Sequence, residues 1–415
     1  MLRVNPRAAC VEALTRWEKG DEFADKILHR ALTAQRFSTL DRAFFTETFY
    51  GVIRNKRLLD FLIAQLCEAD LDETTRQVLR LGLYQLLRMR IPHHAVVNET
   101  VELAGRARKL VNAVLRRCIR ELDALKKVIN SAPPGVRFSH PEVLIERWRK
   151  NFGDEKTHQL CEWNNRPAEI FVRANLLKVT PGELLRTADA EMLPKHPLMM
   201  RVKQIPLVWI VGGLCYVQDP STLLACEMLD PQPGERVLDT CAAPGGKTTY
   251  LAQIMRNEGK IIACDASAKR LTRLRENAAR LGVSNTICAQ VDWLKNDHSQ
   301  QTFERGEFDR ILVDAPCSNT GVIRRRVDVR WRLTSHDEFS QMHETQLAML
   351  RAVSPLLKPG GTLVYSTCSI EPEENEQLAK RAAEEINGLE LVEQRETLPF
   401  RDEIDGAFAA RFVRN

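Results

Sequence analysis

The 415-residue sequence lacks a Cys-x-x-Cys pair, although it contains 11 cysteines. Scattered cysteines in an odd number argue against a zinc site and against a disulfide framework, and they suit a reducing compartment. The sequence also has no apolar run long enough to span a bilayer and no signal-peptide pattern at its start. We therefore expect a cytoplasmic protein that uses neither a metal nor a membrane.

Two common nucleotide-binding motifs are missing as well. The turn Cys241–Lys247 has cysteine and alanine at positions where the dinucleotide motif GxGxxG favours glycine. Gly246-Lys247-Thr248 lacks the earlier glycine of the P-loop motif GxxxxGK[ST], which argues against an NTPase. Pro244-Gly245-Gly246 nevertheless allows a tight turn and a close approach of the backbone to a ligand.

The charge is unevenly distributed along the chain. Residues 1–130 contain 23 Lys and Arg against 16 Asp and Glu, whereas residues 131–415 contain 37 against 39. A basic front and a near-neutral back fit a module that faces nucleic acid joined to a catalytic module, and the length suits two or three domains. A solvated helical surface explains the charge equally well.

The front, residues 1–130, has apolar residues at helical spacing throughout. One predicted helix has Val111, Val114 and Leu115 on one face, and its other face carries basic residues: Lys109, Arg116, Arg117 and Arg120. Such a face suits RNA because positioned cations neutralise phosphates whatever the base sequence. A core helix with a solvated face is the alternative.

Three stretches of this front, Leu81–Leu87, Val97–Val101 and Val111–Arg116, resemble an all-helical NusB-type RNA-binding domain. The resemblance implies that residues 1–130 form such a domain and bind RNA.

Residues 131–230 follow a Pro-Pro-Gly break and predict a small α+β adaptor. We expect strands at residues 170–175, 208–211 and 216–217. Arg173 and Asn175 are candidate RNA contacts, although a structural role is the commoner one for their position.

Residues 231–415 alternate between predicted strands and helices, which indicates a Rossmann-like α/β domain. Ligands in such a sheet bind at the carboxyl ends of the strands. The turn Cys241–Lys247, Asp265, Asp292, Asp314–Cys317 and Cys368 all follow predicted strands. We therefore expect one site at this edge.

The two aspartates after the second and third strands suit a nucleoside. Asp265 can accept hydrogen bonds from ribose hydroxyls, and Asp292, beside Trp293, can accept from an adenine amino group. Adenine and ribose without a phosphate site indicate S-adenosylmethionine. Each aspartate alone is more often a helix cap.

Cys317 and Cys368 suit methylation of a pyrimidine carbon. A thiolate that adds to C6 makes C5 nucleophilic enough to take a methyl group, and release then requires loss of the C5 proton and of the thiolate. Asp314 can bond the N3 and amino edge of cytosine. The alternative for any one cysteine is a small buried hydrophobe.

The motifs Asp239–Thr248, Asp314–Ser318 and Thr367–Ser369 resemble those of RNA cytosine-5 methyltransferases, and Gly321–Arg325 and Glu371–Asn375 extend the match. With the NusB-like front, the whole chain is similar to the bacterial Sun/Fmu (RsmB) family of 16S ribosomal RNA methyltransferases.

The resemblance implies that Cys368 is the nucleophile and that Cys317 aids release. It also implies donor contacts by Cys241, Ala242, Ala243, Pro244, Gly245, Gly246, Lys247, Asp265, Asp292 and Asp314. The expected partner is 16S rRNA or a small-subunit assembly intermediate, and we expect a monomer.

Two segments depart from the family pattern. Arg326-Val327-Asp328 stands where His/Tyr-Pro-Asp is common, and residues 405–410 lack the usual Gly-Phe-Phe, at what we expect to be a sheet edge. The first lies in a run with five arginines and one aspartate, residues 320–332, which we interpret as a phosphate cradle for the target strand. A solvated loop is the alternative.

Three other functions are compatible with parts of the sequence. A DNA cytosine-5 methyltransferase would use Cys317 as its nucleophile, but such enzymes typically have a large insertion between that motif and the end of the fold. Only about fifty residues separate Cys317 from Cys368. A transfer-RNA methyltransferase and a non-catalytic RNA-binding assembly factor are the other two.

Overall fold

The computed structural model describes residues 5–295, 303–335 and 337–415. The chain forms two compact units, one of Met1–Arg166 with Ile323–Thr334 and one of Pro167–Val322 with Ser335–Asn415. The predicted domain limits at residues 130 and 230 stay predictions.

The first unit is helical. Its helices are α1 (Pro6–Glu18), α2 (Ala24–Ala34), α3 (Thr39–Arg54), α4 (Lys56–Leu66), α5 (Glu73–Arg88), α6 (His93–Leu103), α7 (Arg108–Arg120), α8 (Leu122–Ser131), α9 (Pro134–Arg137), α10 (Glu142–Phe152) and α11 (Asp154–Asn165). Helix α5 begins where the side chain of Asp72 accepts a hydrogen bond from the Thr75 amide at 2.8 Å, a typical helix cap. Its Leu79, Leu81 and Leu83 are fully buried in the core of the unit.

Helix α7 has the two faces that the sequence predicts. Val111, Val114 and Leu115 are buried. The basic residues of the opposite face are all exposed: Lys109, Arg116, Arg117 and Arg120.

The segment Ile323–Thr334 belongs to the helical unit, and two of its five arginines correct the predicted phosphate cradle. Arg330 is fully buried and donates to the carbonyl oxygens of Ser139 and Asn164 at 3.2 and 3.0 Å. Arg324 is also buried and lies over the ring of Trp163. Burial lowers the pKa of Arg330 to about 9. These two arginines therefore anchor the segment and are not available to a phosphate.

The second unit contains a small antiparallel sheet of order β2-β3-β1-β4. Its elements are β1 (Ile170–Ala174), α12 (Pro181–Leu185), β2 (Ala190–Leu193), β3 (His196–Val202), α13 (Leu207–Val211) and β4 (Cys215–Val217). The predicted strand at residues 208–211 is wrong, because this run forms helix α13. Pro206 precedes the helix, and the Gly212 amide closes its last turn on Val208. Only Trp209 of the helix is buried.

The rest of the second unit is a seven-stranded sheet of order β10-β11-β9-β8-β5-β6-β7. Its elements are α14 (Leu224–Leu229), β5 (Arg236–Asp239), α15 (Gly246–Ile254), β6 (Lys260–Asp265), α16 (Ala268–Leu281), β7 (Thr286–Gln290), β8 (Phe308–Asp314), α17 (Asp337–Val353), β9 (Leu357–Thr367), α18 (Glu376–Glu385), β10 (Leu389–Thr397), α19 (Pro399–Asp402) and β11 (Ala407–Arg414).

Strands β9, β8, β5, β6 and β7 are parallel, and β11 and β10 run antiparallel to their neighbours. The expectation that residues 405–410 lie at a sheet edge is wrong, because β11 lies between β9 and β10. Within the residues that the structure describes, no helix combines the length and the apolar character needed to cross a membrane.

We predict that Arg330→Met lowers the free energy of unfolding of the helical unit by roughly 3 kcal/mol, because buried carbonyl groups lose a charged hydrogen-bond donor. Urea unfolding followed by circular dichroism measures this. Arg326, which is exposed in the same segment, provides the control Arg326→Met. Equal stability of the two variants would contradict the anchoring role.

Candidate active site

The carboxyl edge of the parallel strands brings the predicted site residues to one side of the sheet. Asp265 and Asp314 are the last residues of β6 and β8, Cys368 follows β9 directly, and the turn Cys241–Lys247 follows β5. Asp292 comes two residues after β7. The site lies entirely within the second unit.

The glycine turn leads directly into helix α15. Gly245 has a φ of +107°, a conformation that L side chains rarely adopt, and it precedes the first residue of the helix. The fully buried Arg173 donates to the Gly246 carbonyl oxygen at 2.9 Å and to Thr249 at 3.1 Å. Burial lowers the pKa of Arg173 to about 10. Arg173 thus supports the turn and is not an RNA contact.

Asn175, the other candidate RNA contact, is fully buried as well. Its side-chain amide donates to the carbonyl oxygens of Gly213 and Leu281 at 2.7 and 2.8 Å. Its role is therefore structural.

Asp265 is only 3% exposed, yet one of its oxygens is not fully used. Oδ1 accepts from the Ser267 amide at 2.9 Å. Oδ2 accepts no hydrogen bond from the described residues, although Nη1 of Arg270 lies 3.4 Å away. A buried carboxylate oxygen with spare acceptor capacity suits the hydroxyl groups of a ribose.

Asp292 and Trp293 follow the outermost parallel strand. Oδ1 of Asp292 accepts from the Leu294 amide at 3.2 Å, and Oδ2 lies 3.3 Å from the Lys295 ammonium. The Trp293 indole is buried and donates to the Thr240 carbonyl oxygen at 3.1 Å. The half-buried carboxylate of Asp292 keeps acceptor capacity for an amino group.

Asp314 is paired with Lys247, the last residue of the glycine turn. The Lys247 Nζ lies 2.8 Å from Oδ2 of Asp314, and the Ser366 hydroxyl donates to Oδ1 at 2.9 Å. Burial acts to lower the pKa of Lys247, but the Asp314 carboxylate outweighs it, so the pKa lies above the ordinary value. The pair connects the turn to the strand that leads to Cys317.

The two cysteines face each other. Their Sγ atoms are 3.3 Å apart, and Sγ of Cys368 lies 3.2 Å from Oδ1 of Asn319. The hydrogen bond with Cys368, together with burial, raises the pKa of Cys317 well above its ordinary value. When Cys368 carries the negative charge, Cys317 therefore keeps its proton and can donate a hydrogen bond to the neighbouring sulfur.

Gly321 and Gly406 hold the two cysteine loops together. The Gly321 amide donates to the Cys368 carbonyl oxygen at 3.0 Å, and the Gly406 amide donates to the Gly321 carbonyl oxygen at 2.8 Å. A Cβ at Gly321 would lie 2.5 Å from the Gly406 oxygen, so no other residue fits there. The departure from the family pattern at residues 405–410 thus begins beside the cysteines.

Sequence reasoning did not single out three polar residues of this site, Asn319, Gln346 and Glu374. Asn319 has a φ of +60°, and Glu374 is fully buried. Position in a motif was the only signal for Glu374, since burial of a glutamate leaves no pattern in the sequence. In the part of the chain that the structure describes, no group of three or more His, Cys, Asp or Glu side chains is arranged to hold a metal.

Comparison with known proteins agrees with this architecture, which is that of a Rossmann-like methyltransferase domain. A family model described as 16S rRNA methyltransferase RsmB/F matches residues 226–413. Residues 4–120 match the NusB family, and residues 140–200 match a ferredoxin-like domain of RsmF/B-like methyltransferases. The predicted NusB-like front, α+β adaptor and Rossmann-like domain are confirmed.

The similarity to curated proteins extends over most of the chain. This chain is 35% identical over 404 residues to ribosomal RNA small subunit methyltransferase B of Escherichia coli O7:K1, and the match covers 92% of each chain. It is 33% identical over 398 residues to the probable ribosomal RNA small subunit methyltransferase B of Bacillus subtilis, covering 91% of this chain and 88% of the relative. The chain belongs to the RsmB/F family of 16S rRNA methyltransferases.

Solved structures share the fold. A methyltransferase homolog from Pyrococcus horikoshii superposes with a TM-score of 0.59 at 31% identity, over 68% of this chain and 98% of that one. NSun6 from the same organism, solved with SFG, has a TM-score of 0.59 at 22% identity, over 66% and 98% of the two chains.

We predict that Asp239 makes the protein less stable as the pH rises. Burial raises the pKa of Asp239 to about 7. Between about pH 4 and pH 7 the unfolded chain releases this proton while the folded protein keeps it. The free energy of unfolding therefore falls by on the order of 4 kcal/mol as the pH rises through this range. Asp239→Asn removes the effect, and its amide oxygen can still accept from Thr248, which donates to Asp239 at 2.7 Å.

Urea unfolding at several pH values between 5 and 8 measures this effect. The stability of Asp239→Asn relative to the wild type should increase across that range. The exposed Asp189 gives the control Asp189→Asn, for which no such increase is expected. A pH-independent difference between Asp239→Asn and the wild type would contradict the prediction.

Proposed function

We propose that this protein transfers a methyl group from S-adenosylmethionine to C5 of a specific cytosine in 16S rRNA. Cys368 forms a covalent adduct with C6 of the base, and Cys317 helps to resolve it. The observation that carries the proposal is the 3.3 Å contact between the two Sγ atoms, at the strand ends that also hold Asp314.

S-adenosylmethionine supplies an electrophilic methyl group on a sulfonium. The chain offers it the turn Cys241–Lys247, whose backbone allows close approach, and the carboxylates of Asp265, Asp292 and Asp314. Asp265 accepts from the ribose hydroxyls through its underused Oδ2, and Asp292 accepts from the adenine amino group. Asp314 lies next to the turn through Lys247 and borders both the donor and the base.

The addition step uses the thiolate of Cys368. Its sulfur forms a bond to C6, and the electrons of the C5–C6 double bond become available at C5. Asp314, held in place by Lys247 and Ser366, faces the N3 and amino edge of the base. Its carboxylate accepts a hydrogen bond from the amino group, and from N3 once a proton from water has neutralised the charge that develops there. C5 would then form a bond to the methyl carbon while the bond from that carbon to the sulfonium breaks, and the donor would leave as a neutral thioether.

The release step needs a base. We propose that Cys317 becomes that base once Cys368 is bonded to the ring. The hydrogen bond and charge of Cys368 raise the pKa of Cys317 in the free enzyme. When Cys368 becomes a neutral thioether, its contribution ends and only burial and the Glu374 charge still raise the pKa, so the Cys317 thiol loses its proton to water more easily. The Cys317 thiolate then takes the C5 proton, the C5–C6 double bond re-forms, and Cys368 leaves as a thiolate.

The substrate part of the proposal rests on the helical unit and on the relatives, whose names specify the small-subunit RNA. The exposed basic face of α7 suits phosphates, and we infer that the helical unit, whose residues 4–120 match the NusB family, binds the RNA. A cytosine must leave its stack to reach a site at the end of a sheet, which favours single-stranded RNA or loops. We propose a cytoplasmic monomer that acts on 16S rRNA or on a small-subunit assembly intermediate.

We predict that Cys317→Ala accumulates a covalent protein–RNA complex with small-subunit rRNA and S-adenosylmethionine, because the adduct forms but is not resolved. A denaturing gel detects it. The band should be absent with Cys317→Ala/Cys368→Ala, in which the nucleophile is missing.

Two other results would contradict this assignment. A complex trapped with Cys368→Ala but not with Cys317→Ala would exchange the roles of the cysteines, as in a DNA-type enzyme. No complex with either variant and no donor turnover would favour an RNA-binding assembly factor.

Turnover on transfer RNA but not on rRNA would change the proposed substrate and leave the proposed chemistry unchanged.

We predict that Asp265→Asn weakens S-adenosylmethionine binding about tenfold to a hundredfold, because a charged acceptor for the ribose hydroxyls is lost. Isothermal titration calorimetry without RNA measures the change. Asp189→Asn alters an exposed aspartate of the same unit and should bind normally. Equal affinity of Asp265→Asn and wild type would exclude Asp265 from the donor site.

A further inference from the structure

Glu374 is a fully buried carboxylate with three hydrogen-bond donors around it. Its Oε2 accepts from the Ser318 amide at 2.8 Å and from Nε2 of Gln346 at 3.0 Å. Its Oε1 accepts from the Ser369 hydroxyl at 2.9 Å. Burying a carboxylate is costly unless such bonds compensate it, so these bonds hold the groups around it in a defined arrangement.

Two of these three bonds end at a residue next to a cysteine, and the third reaches the Cys317 loop through Gln346. Ser318 directly follows Cys317, and Ser369 directly follows Cys368. The same side-chain amide of Gln346 that donates to Glu374 also donates to the Pro316 carbonyl oxygen at 2.9 Å. Cys317 is therefore held on both sides, by its preceding carbonyl and by its following amide.

The neighbouring groups fix the position of Glu374 itself. The Tyr365 hydroxyl, from β9, donates to the Glu374 carbonyl oxygen at 2.7 Å. The Thr367 hydroxyl donates to the side chain of Asn375 at 2.7 Å, and that side chain donates to the Ser369 carbonyl oxygen at 3.0 Å. Glu374 is thus tied to the end of the strand that carries Cys368.

We propose that Glu374 is a positioning residue that sets the spacing of Cys317 and Cys368, and that Gln346 extends this control to the Cys317 loop. Glu374 does not touch the substrate; it acts through Ser318, Ser369 and Gln346. This inference depends on the proposed function, in which one sulfur attacks and the other assists release. Both steps require the two sulfurs to meet the same ring.

The side chains available at position 374 make a graded test. Glu374→Ala removes the acceptor that three donors share, and it leaves the buried Ser318 amide without its acceptor. Glu374→Gln can still accept from Ser318 and Gln346 through its oxygen, and its NH2 group can donate to the Ser369 hydroxyl. That hydroxyl can then turn its own proton to the Ser318 hydroxyl, which is 3.0 Å away.

We expect Glu374→Ala to lower kcat roughly a hundredfold, the usual effect of a misplacement of about 1 Å in reacting groups. The KM for RNA and the affinity for S-adenosylmethionine should stay the same, because Glu374 contacts neither. Glu374→Gln should recover most of the lost kcat. Glu384, exposed at the end of α18, gives the matched control Glu384→Ala, which should behave as wild type.

Gln346→Leu distinguishes the contributions of the two cysteine loops. It removes the bond to the Pro316 carbonyl in the Cys317 loop and leaves the bond between Ser369 and Glu374 in place. We expect adduct formation at nearly the wild-type rate and slower release. The covalent protein–RNA band on a denaturing gel should therefore increase several-fold over wild type, in the direction of Cys317→Ala. This variant also tests the proposal if Glu374→Ala does not fold.

Three results would overturn the inference. One is wild-type kcat in Glu374→Ala. Another is a loss of kcat that Glu374→Gln does not recover, or a loss of kcat that is accompanied by equal losses of donor affinity and melting temperature. The third is no excess adduct in Gln346→Leu while Cys317→Ala does trap it. If Cys317→Ala itself traps nothing, the proposed function fails rather than the positioning role.

Discussion

The parallel pairing of β8 with β9 is the constraint on which the site depends. Its register places Asp314 opposite Ser366, so both strands end at the same level of the sheet. The chain after β8 reaches Cys317 within three residues, and the chain after β9 reaches Cys368 in one. Two cysteines 51 residues apart in sequence thereby come within 3.3 Å. A shift of this register would separate the sulfurs and also break the Ser366–Asp314 hydrogen bond.

Much of this arrangement could be predicted from the sequence, because a parallel sheet imposes strong rules on its strands. Buried apolar runs such as Ile261–Cys264 and Ile311–Val313 mark central strands, and ligands meet such sheets at the carboxyl ends. The polar residues after these runs could therefore be assigned to one edge. The amphipathic pattern of α7 was equally informative, since its two faces differ in chemistry at helical spacing.

What the sequence did not reveal depends on contacts between distant residues. Leu207–Val211 is an apolar run that suits a strand, and only its proline and glycine borders favour the helix that forms. Arg330 lies in the run interpreted as a phosphate cradle, and Arg173 was a candidate RNA contact beside a commoner structural role, but both side chains are buried and donate to carbonyl oxygens. Glu374 is likewise a buried charged side chain, here with a negative charge, and the role proposed for it depends on three donors that the fold brings to it.

The central claim is that Cys368 bonds to the target base while Cys317 serves its release. Small-subunit rRNA that contains 5-fluorocytosine tests it in the unaltered protein, because fluorine replaces the proton that must leave C5 and the adduct cannot be resolved. Trypsin cleavage after Arg324 separates the two cysteines, and mass spectrometry then shows which peptide carries the nucleotide. We predict the peptide with Cys368. A nucleotide on the peptide with Cys317, or no covalent product, would contradict the account.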